Sequence, residues 1–378
     1  MPLWLKQHQL RSKSVTTRRK AAEQLSRDAD PRAFGLLQQI LNDEDPEVRR
    51  LVVTALGKLE NADRIGPLLS ALRDTDAGVQ KAAIEALHRV PGDMANSSLL
   101  PLLRDPDADV RGHAARALEM LRWHPHDPES EAWFCVAKGQ FQRTLALGAV
   151  AIPALRRTLE SASYSLCVSA CRALGDIGGP QAVQPLLNAL MSPEAAVCAT
   201  ATEALSKVGG PEAVQGLMSV VRHQNAKVRA TAAEALAKLQ APGAVEALAS
   251  LLTDSVWDVR RAAAEALGKL NDSRAMDVLA YSLQDGDPDV RETSAAALGR
   301  LGDPRAIDPL VMSLKDPASN VRRGALAALT QIDKNWILTG EAIVALERLK
   351  DALQADDREV RDFVRSILAG AGVIPPQN

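Results

Sequence analysis

The stretch Asp285–Gly299, DGDPDVRETSAAALG, contains the pattern that determines the fold of this 378-residue chain. Its Val290 marks a position, here called the anchor, that recurs along almost the whole sequence. The eleven anchors are Thr17, Val48, Val79, Val110, Leu166, Val197, Val228, Val259, Val290, Val321 and Val360. Successive anchors are 31 residues apart, except for one step of 56 and a final step of 39. A fixed period of this length is typical of a solenoid.

Within each unit the apolar spacing is helical. Small residues lie four and seven positions after the anchor, as do Ala83 and Ala86 after Val79 and Ala263 and Ala266 after Val259. A leucine lies eight positions after the anchor in the same units. These positions share one face of a helix. A second apolar segment precedes each anchor, often after a proline that can open a helix, at Pro180, Pro211 and Pro304. The sequence therefore predicts an all-α superhelix of about eleven stacked helical hairpins with one inserted helical segment.

The units resemble HEAT-like repeats of the short bacterial and archaeal type, also called phycobilisome-lyase HEAT-like repeats. The pattern of that family is close to D-x-D-x-x-V-R-x-x-A-A-x-A-L-G, which Asp285–Gly299 matches almost letter for letter. The resemblance covers nearly the whole chain and implies an α-solenoid. Because such repeats serve scaffolds, adaptors and a few enzymes, it implies much less about function.

The net charge, the cysteine content and the hydropathy of the sequence exclude several classes of protein. A net charge of -2 gives no overall attraction to nucleic acid or anionic lipid. Four cysteines, Cys135, Cys167, Cys171 and Cys198, are too few and too irregularly spaced for a disulfide framework. No apolar run reaches 18 residues. We therefore predict a cytoplasmic protein.

An aspartate five places before the anchor and an arginine one place after it recur in many units. The resemblance implies that these residues form a hydrogen-bonded ladder between neighbouring units. The predicted ladder comprises Asp43 with Arg49, Asp105 with Arg111, Asp254 with Arg260, Asp285 with Arg291 and Asp316 with Arg322. In two adjacent units Cys167 and Cys198 replace the arginine, so we expect the ladder to be interrupted there.

The sequence contains no recognisable catalytic motif. None of the six histidines precedes a glutamate, unlike the iron-binding His-Glu pairs of deoxyhypusine hydroxylase, an enzyme built from similar repeats. His124, His126 and Cys135 are possible metal ligands, but their spacing is irregular and Pro125 favours a turn. We therefore predict no catalytic, cofactor-binding or metal-binding residue, no cofactor and no small-molecule substrate. A bilin-lyase type of enzyme or enzyme subunit remains an alternative.

Two surfaces are candidates for partner binding. The residue two places after the anchor is variable, and it is charged in Arg50, Lys81, Arg261 and Arg323. Residues 1–27 have apolar side chains at Leu3, Trp4, Leu5 and Leu10. The same segment contains seven basic residues and one acidic residue, Glu23. The basic residues are Lys6, Arg11, Lys13, Arg18, Arg19, Lys20 and Arg27. This segment is either a site for nucleic acid or an anionic membrane or a terminal cap, and we favour the cap.

The 56-residue step contains the insertion Arg122–Gly148, RWHPHDPESEAWFCVAKGQFQRTLALG. Its sequence predicts a turn followed by a helix that begins near Pro128, with Glu129 and Glu131 in the first turn. Four aromatic residues fall in it: Trp123, Trp133, Phe134 and Phe141. A similar insertion in the family favours a structural wedge, with a dedicated partner site as the alternative. We expect Trp123 and Trp133 to be mostly buried.

These observations predict three regions and one main function. Residues 1–121 form N-terminal repeats with a basic cap, residues 122–148 the insertion, and residues 149–378 C-terminal repeats with an extended cap. The extension, in KNWILTGEAIVALERLKDAL, is expected to lengthen a helix. We predict a non-enzymatic protein-protein interaction scaffold or adaptor. Nucleic acid or an anionic membrane is an alternative partner through residues 1–27 only.

Overall fold

The computed structural model describes residues 2–241 and 243–375, without the side chain of Ala62. All regular secondary structure in these residues is helical. The α-helices are α1 (Leu3–Leu10), α2 (Val15–Asp28), α3 (Phe34–Ile40), α4 (Pro46–Lys58), α5 (Ile65–Ala71), α6 (Ala77–Leu87), α7 (Gly92–Leu99), α8 (Ala108–Met120), α9 (Pro128–Ala137), α10 (Thr144–Leu147), α11 (Ile152–Leu159), α12 (Tyr164–Ile177), α13 (Pro180–Ala189), α14 (Ala195–Val208), α15 (Pro211–Ser219), α16 (Ala226–Lys238), α17 (Ala244–Leu251), α18 (Trp257–Leu270), α19 (Met276–Ser282), α20 (Pro288–Leu301), α21 (Ile307–Ser313), α22 (Ser319–Ile332), α23 (Gly340–Leu349) and α24 (Arg358–Gly370).

Short 3-10 helices connect or extend many of these elements. They span Pro31–Ala33, Ala62–Arg64, Leu100–Arg104, Phe141–Arg143, Gly148–Ala151, Val220–Arg222, Ser273–Ala275, Pro304–Ala306, Trp336–Leu338 and Lys350–Gln354. Two of the three predicted helix-opening prolines, Pro180 and Pro211, are the first residues of α13 and α15. The third, Pro304, begins a 3-10 turn and α21 follows it at Ile307, so that prediction was wrong in detail.

Each anchor lies in the second helix of a helical hairpin, which confirms the predicted all-α fold of eleven hairpins. The second helices are α2, α4, α6, α8, α12, α14, α16, α18, α20, α22 and α24. The nine valine anchors are at most 4% exposed. Several second helices begin at a side-chain cap, because Asp45, Asp76 and Asp287 accept hydrogen bonds from the first backbone N–H groups. The loop between the two helices of a unit thus specifies where the second helix begins.

The chain divides into two compact units, Met1–Ile177 and Gly178–Asn378. In the first unit α2, α4, α6 and α8 pack in succession, and the predicted insertion follows α8. In the second unit α14, α16, α18, α20 and α22 form the corresponding row. Within both units the core is formed by the alanine, leucine and valine side chains between the two helix layers.

The C-terminal extension differs from the prediction of a longer helix. Helix α23 has ten residues, against seven in α19 and in α21, so part of the extra sequence does lengthen the helix. The rest forms the turn Trp336–Leu338, where Trp336 is 3% exposed. The extension therefore adds a buried aromatic residue before the last hairpin as well as helix length.

Candidate functional site

Five arginines that follow an anchor each pair with the aspartate of the next hairpin, and not with the aspartate of their own unit with which the sequence analysis grouped them. Arginine Nε lies 2.6–2.8 Å from Asp Oδ2 and Nη2 lies 2.8–3.0 Å from Oδ1, which is a bidentate pair. The five pairs are Arg18–Asp43 and Arg49–Asp74 in the first unit and Arg229–Asp254, Arg260–Asp285 and Arg291–Asp316 in the second. The sequence analysis missed Arg18, Asp74 and Arg229, although their positions relative to the anchor could have revealed them.

Three of the ladder aspartates, Asp74, Asp254 and Asp285, have a lowered pKa. Burial by itself would raise the pKa of the Asp74, Asp254 and Asp285 carboxyls. The hydrogen bonds from the paired arginine and from a backbone N–H outweigh this effect, so each pKa lies below its usual value. In each of these arginines Nε and Nη2 donate to the aspartate and Nη1 donates to the carbonyl oxygen six residues earlier, so we assign the ladder a structural role.

The ladder changes where the sequence lacks one of its partners. Arg111 is 2% exposed and donates to the carbonyl oxygens of Asp105 and Pro106. Cys167 and Cys198 contact the carbonyl oxygen six residues earlier, as the ladder arginines do, but a thiol cannot form a bidentate pair. Arg322 lies over the Phe363 ring at 5.6 Å and reaches Glu359 at 3.4 Å. Arg111 and Arg322, two of the predicted ladder arginines, therefore do not pair with an aspartate of the next hairpin.

Most of the basic N-terminal residues have acidic partners within the protein. Lys6 pairs with Asp28, Arg18 with Asp43, Arg19 with Asp45 and Arg27 with Glu23. Within the described chain, Arg11, Lys13 and Lys20 form no ion pair, and Trp4 is 68% exposed. The internal pairing and the burial of Leu10 and Leu25 favour the terminal cap over a charged binding segment.

The charged row two places after the anchor is also partly neutralised. Arg50 pairs with Glu47 at 2.6 Å, and Arg261 pairs with Asp258 at 2.7 Å. Lys81 and Arg323 are exposed and form no ion pair in the part of the chain that the structure describes. Of these four predicted partner-binding residues, only Lys81 and Arg323 present a charge without a local counterion.

The insertion forms the predicted turn and helix. Helix α9 begins at Pro128 and packs against α8 on one side and α11 on the other, as a wedge would. Trp123 packs edge-to-face on Phe134 with ring centroids 5.5 Å apart, and Arg104 lies 5.3 Å over Trp133. Both tryptophans are of intermediate exposure and pack against the hydrophobic core, so the expectation that they are mostly buried is confirmed.

Three adjoining cavities of about 540, 430 and 460 Å³ run from α6 past α8 and α9 to α12. The first and second share Glu119, and the second and third share Gln140 and Arg143. We call these three cavities together the α6–α12 groove; all of their lining residues lie in the first unit. It brings together Lys81, Trp123, Phe134 and Phe141 from the sequence prediction, whereas Trp133 lies outside it.

The α6–α12 groove is predominantly basic. Its charged lining consists of Lys81, Arg116, Arg122, Lys138, Arg143 and Arg172 on the basic side and Glu85, Glu119 and Asp176 on the acidic side. Lys138 pairs with Glu119, and Arg143 pairs with Glu131 at 2.9 Å. Arg116, Arg122 and Arg172 are exposed and have no ion pair within the described residues. Sequence reasoning missed these three, because the groove that unites them is a tertiary feature.

The candidate metal ligands do not form a site. Among residues 2–241 and 243–375 no group of three or more His, Cys, Asp or Glu side chains is arranged to hold a metal ion. Cys135, Cys167, Cys171 and Cys198 are all buried. In the same residues no helix has the length and apolar character needed to cross a bilayer.

Comparison with known protein families identifies the repeat. A family model described as HEAT repeats matches residues 3–88, 65–132, 152–224, 214–285 and 276–368. The chain belongs to the HEAT-repeat family. These matches confirm the predicted family, while the phycobilisome-lyase type remains a prediction. Residues 133–151, which include the second half of α9 and all of α10, lie outside the matched HEAT repeats.

This HEAT-repeat chain also matches a solved structure. A crystal structure of an engineered protein is 23% identical, with a TM-score of 0.42, and the match covers 97% of this chain and 98% of that chain. A search of curated proteins found no match. HEAT repeats form a scaffold that is usable for protein interaction, and proteins of the family commonly bind protein partners.

Proposed function

We propose that this HEAT-repeat chain is a non-enzymatic interaction scaffold whose first unit binds an extended acidic segment of a partner protein in the α6–α12 groove. The observation that carries the proposal is the basic lining of the groove in a chain whose net charge is -2. Opposite charge across an interface steers association and selects the partner.

The free arginines supply the recognition chemistry. Arg116 belongs to α8, Arg122 to the turn after it, and Arg172 to α12, so cations occur along the whole groove. A guanidinium presents planar donors that match a carboxylate in a bidentate manner. Because these three side chains have no ion pair in the described protein, a partner carboxylate would not need to displace an internal one.

The apolar part of the lining supports a peptide over a purely ionic partner. Trp123, Phe134 and Phe141 line the groove beside Met120, which is 41% exposed, and Leu145, which is 39% exposed. Aromatic residues and methionine are enriched in protein interfaces. Each cavity has the volume of a small-molecule site, but three cavities that share lining residues suit a longer, extended ligand.

The proposal also includes a cytoplasmic location and the absence of catalytic activity. Cys135, Cys167 and Cys198, which are buried free cysteines, support a reducing compartment such as the cytoplasm. The competing bilin-lyase function has a direct test: co-expression with a bilin and an acceptor protein would have to give a coloured covalent adduct. An adduct would replace the scaffold proposal with an enzymatic one.

Charge reversal in the groove tests the scaffold proposal. We expect Arg116→Glu combined with Arg122→Glu to lose the proteins that the wild type captures from its native lysate. The affinity for each captured partner, measured by titration, should fall by about tenfold or more, because an attraction becomes a repulsion.

The matched control carries Arg261→Glu with Arg323→Glu, two reversals on second helices outside the groove. It should retain the partners, and nuclease treatment should not release them. Equal capture by both double variants would contradict the groove assignment. Release by nuclease, with a steep dependence on salt, would indicate nucleic acid instead.

A further inference from the structure

Arg64 occupies a position that is a buried alanine in the other hairpins after the first. The position lies 15 residues before the anchor, where the first helix packs under the second. The equivalent residues are Ala33, Ala95, Ala151, Ala182, Ala213, Ala244, Ala275, Ala306 and Ala345, each at most 1% exposed. Arg64 is 7% exposed. A site that the fold fills with a methyl group therefore holds a cation in the third hairpin.

The protein itself satisfies this cation poorly. Arg64 Nη2 donates one hydrogen bond, to the Arg89 carbonyl oxygen at 3.3 Å. Its Nε is buried without a partner, and the side chain forms no ion pair within the described residues. Burial lowers the pKa of Arg64, which the nearby Glu60 opposes. A guanidinium has five N–H donors, and an uncompensated buried charge is strongly unfavourable.

Arg64 lines a cavity of about 410 Å³ at the point where α6 ends and α7 begins. Arg89 contributes a second cation, and Ile65, Val90 and Met94 contribute apolar walls. The eight-residue helix α7 starts beside the cavity and has no side-chain cap at Pro91. Uncapped N–H groups at a helix N-terminus attract anions. The exposed Glu60 at the rim is the one acidic residue of this lining.

We propose that this cavity is an oxyanion-binding site in which Arg64 binds the carboxylate or phosphate group of a small amphiphilic ligand. The apolar walls contact the rest of the ligand. The site uses none of the residues of the α6–α12 groove, so it goes beyond the proposed scaffold function and does not depend on it.

Arg64→Ala gives a readout that separates a binding role from a structural role. It restores the residue of the other hairpins, so we expect the ligand-free variant to unfold at a higher temperature than the wild type. Inorganic phosphate or butyrate, added at constant ionic strength, should raise the thermal midpoint of the wild type in a saturable manner. This rise should be absent in Arg64→Ala.

Two further variants complete the experiment. Arg222→Ala removes an exposed arginine far along the chain and should leave the anion response unchanged. Glu60→Gln removes the opposing charge and should strengthen anion binding several-fold. The stronger of the phosphate and butyrate responses identifies the group that the site prefers.

Three results would overturn the proposal. A lower thermal midpoint for ligand-free Arg64→Ala would mean that the arginine stabilises the fold. An undiminished anion response in that variant would mean an adventitious ion only. The absence of a saturable response to either anion in the wild type would mean that the cavity is not an oxyanion site.

Discussion

At the residue scale, the environment decides what an arginine does in this protein. Arg260 and its equivalents are largely buried, and each one is compensated by a bidentate aspartate in the next hairpin. Arg64 is also buried but has no such partner among the described residues. Arg116 is exposed in a groove. The sequence shows three arginines in helical repeats, and only their surroundings lead us to assign a structural role to the first and to propose ligand binding for the second and partner binding for the third.

Asp285→Asn tests the structural role of the ladder. The change preserves the size of the side chain and removes the charge that Arg260 binds at 2.7 Å. We expect the free energy of unfolding to fall by about 1–3 kcal/mol, because the guanidinium stays buried beside a neutral amide. Denaturation followed by circular dichroism measures the loss.

The control for this variant is Asp277→Asn. Asp277 is 86% exposed and lies 4.0 Å from Arg305, so the pair is screened by water. Its free energy of unfolding should match that of the wild type within about 0.5 kcal/mol. Equal losses in the two variants would refute a special contribution of the buried ladder.

At the element scale, glycine sets how closely successive second helices pack. A Cβ atom at Gly268 of α18 would lie 2.7 Å from Ala297 Cβ of α20, and one at Gly299 of α20 would lie 2.9 Å from Ala328 Cα of α22. Both glycines are nine residues after the anchor. The equivalent residue after α6 is His88, at the C-cap of that helix.

Gly268→Ala should destabilise the second unit although alanine favours helix formation. The added methyl group has to displace the backbone of α20, and overpacking of this kind costs about 1–3 kcal/mol. The thermal midpoint should fall accordingly. Gly66→Ala in α5 is the matched control, because its Cβ would meet no atom within 4 Å.

The control should respond in the opposite direction. Gly66→Ala is expected to raise the free energy of unfolding by up to about 1 kcal/mol through helix propensity alone. If both substitutions stabilised the protein, the close packing of α18 on α20 would not be limiting.

At the scale of the whole molecule, the carboxylates with lowered pKa make stability depend on acidity. Hydrogen bonding to Arg19 lowers the pKa of Asp45 to about 2, and the pKa values of Asp74, Asp254 and Asp285 are also lowered. In the unfolded chain these groups titrate near their usual value of about 3.9. Between these values the unfolded state binds more protons, so acid favours unfolding.

We therefore expect the thermal midpoint to change little from pH 8 to about pH 5 and to fall steeply from about pH 4 towards pH 2. Thermal unfolding at a series of pH values tests this expectation. Asp285→Asn should show a smaller acid-dependent loss, because one linked carboxylate is gone. A midpoint that rises on acidification below pH 4 would contradict the assignment of these pKa shifts.

The sequence alone determined the repeated architecture. The 31-residue period, the valine anchor and the alanines behind it specify helical hairpins through local periodicity, and the aspartate caps specify where second helices begin. The insertion helix was predictable for the same reason, since Pro128 and its acidic first turn are local signals. These features depend on residues close together in the chain, where helix geometry leaves few alternatives.

Only the tertiary structure decided which residues act together. It paired Arg260 with Asp285 across hairpins and united Arg116, Arg122 and Arg172 in one groove. Spacing places residues on a helix face, but the distance between neighbouring helices depends on the side chains of both. Grooves, buried charges and unmet hydrogen bonds arise from that distance, which is why they appear only once the hairpins are stacked.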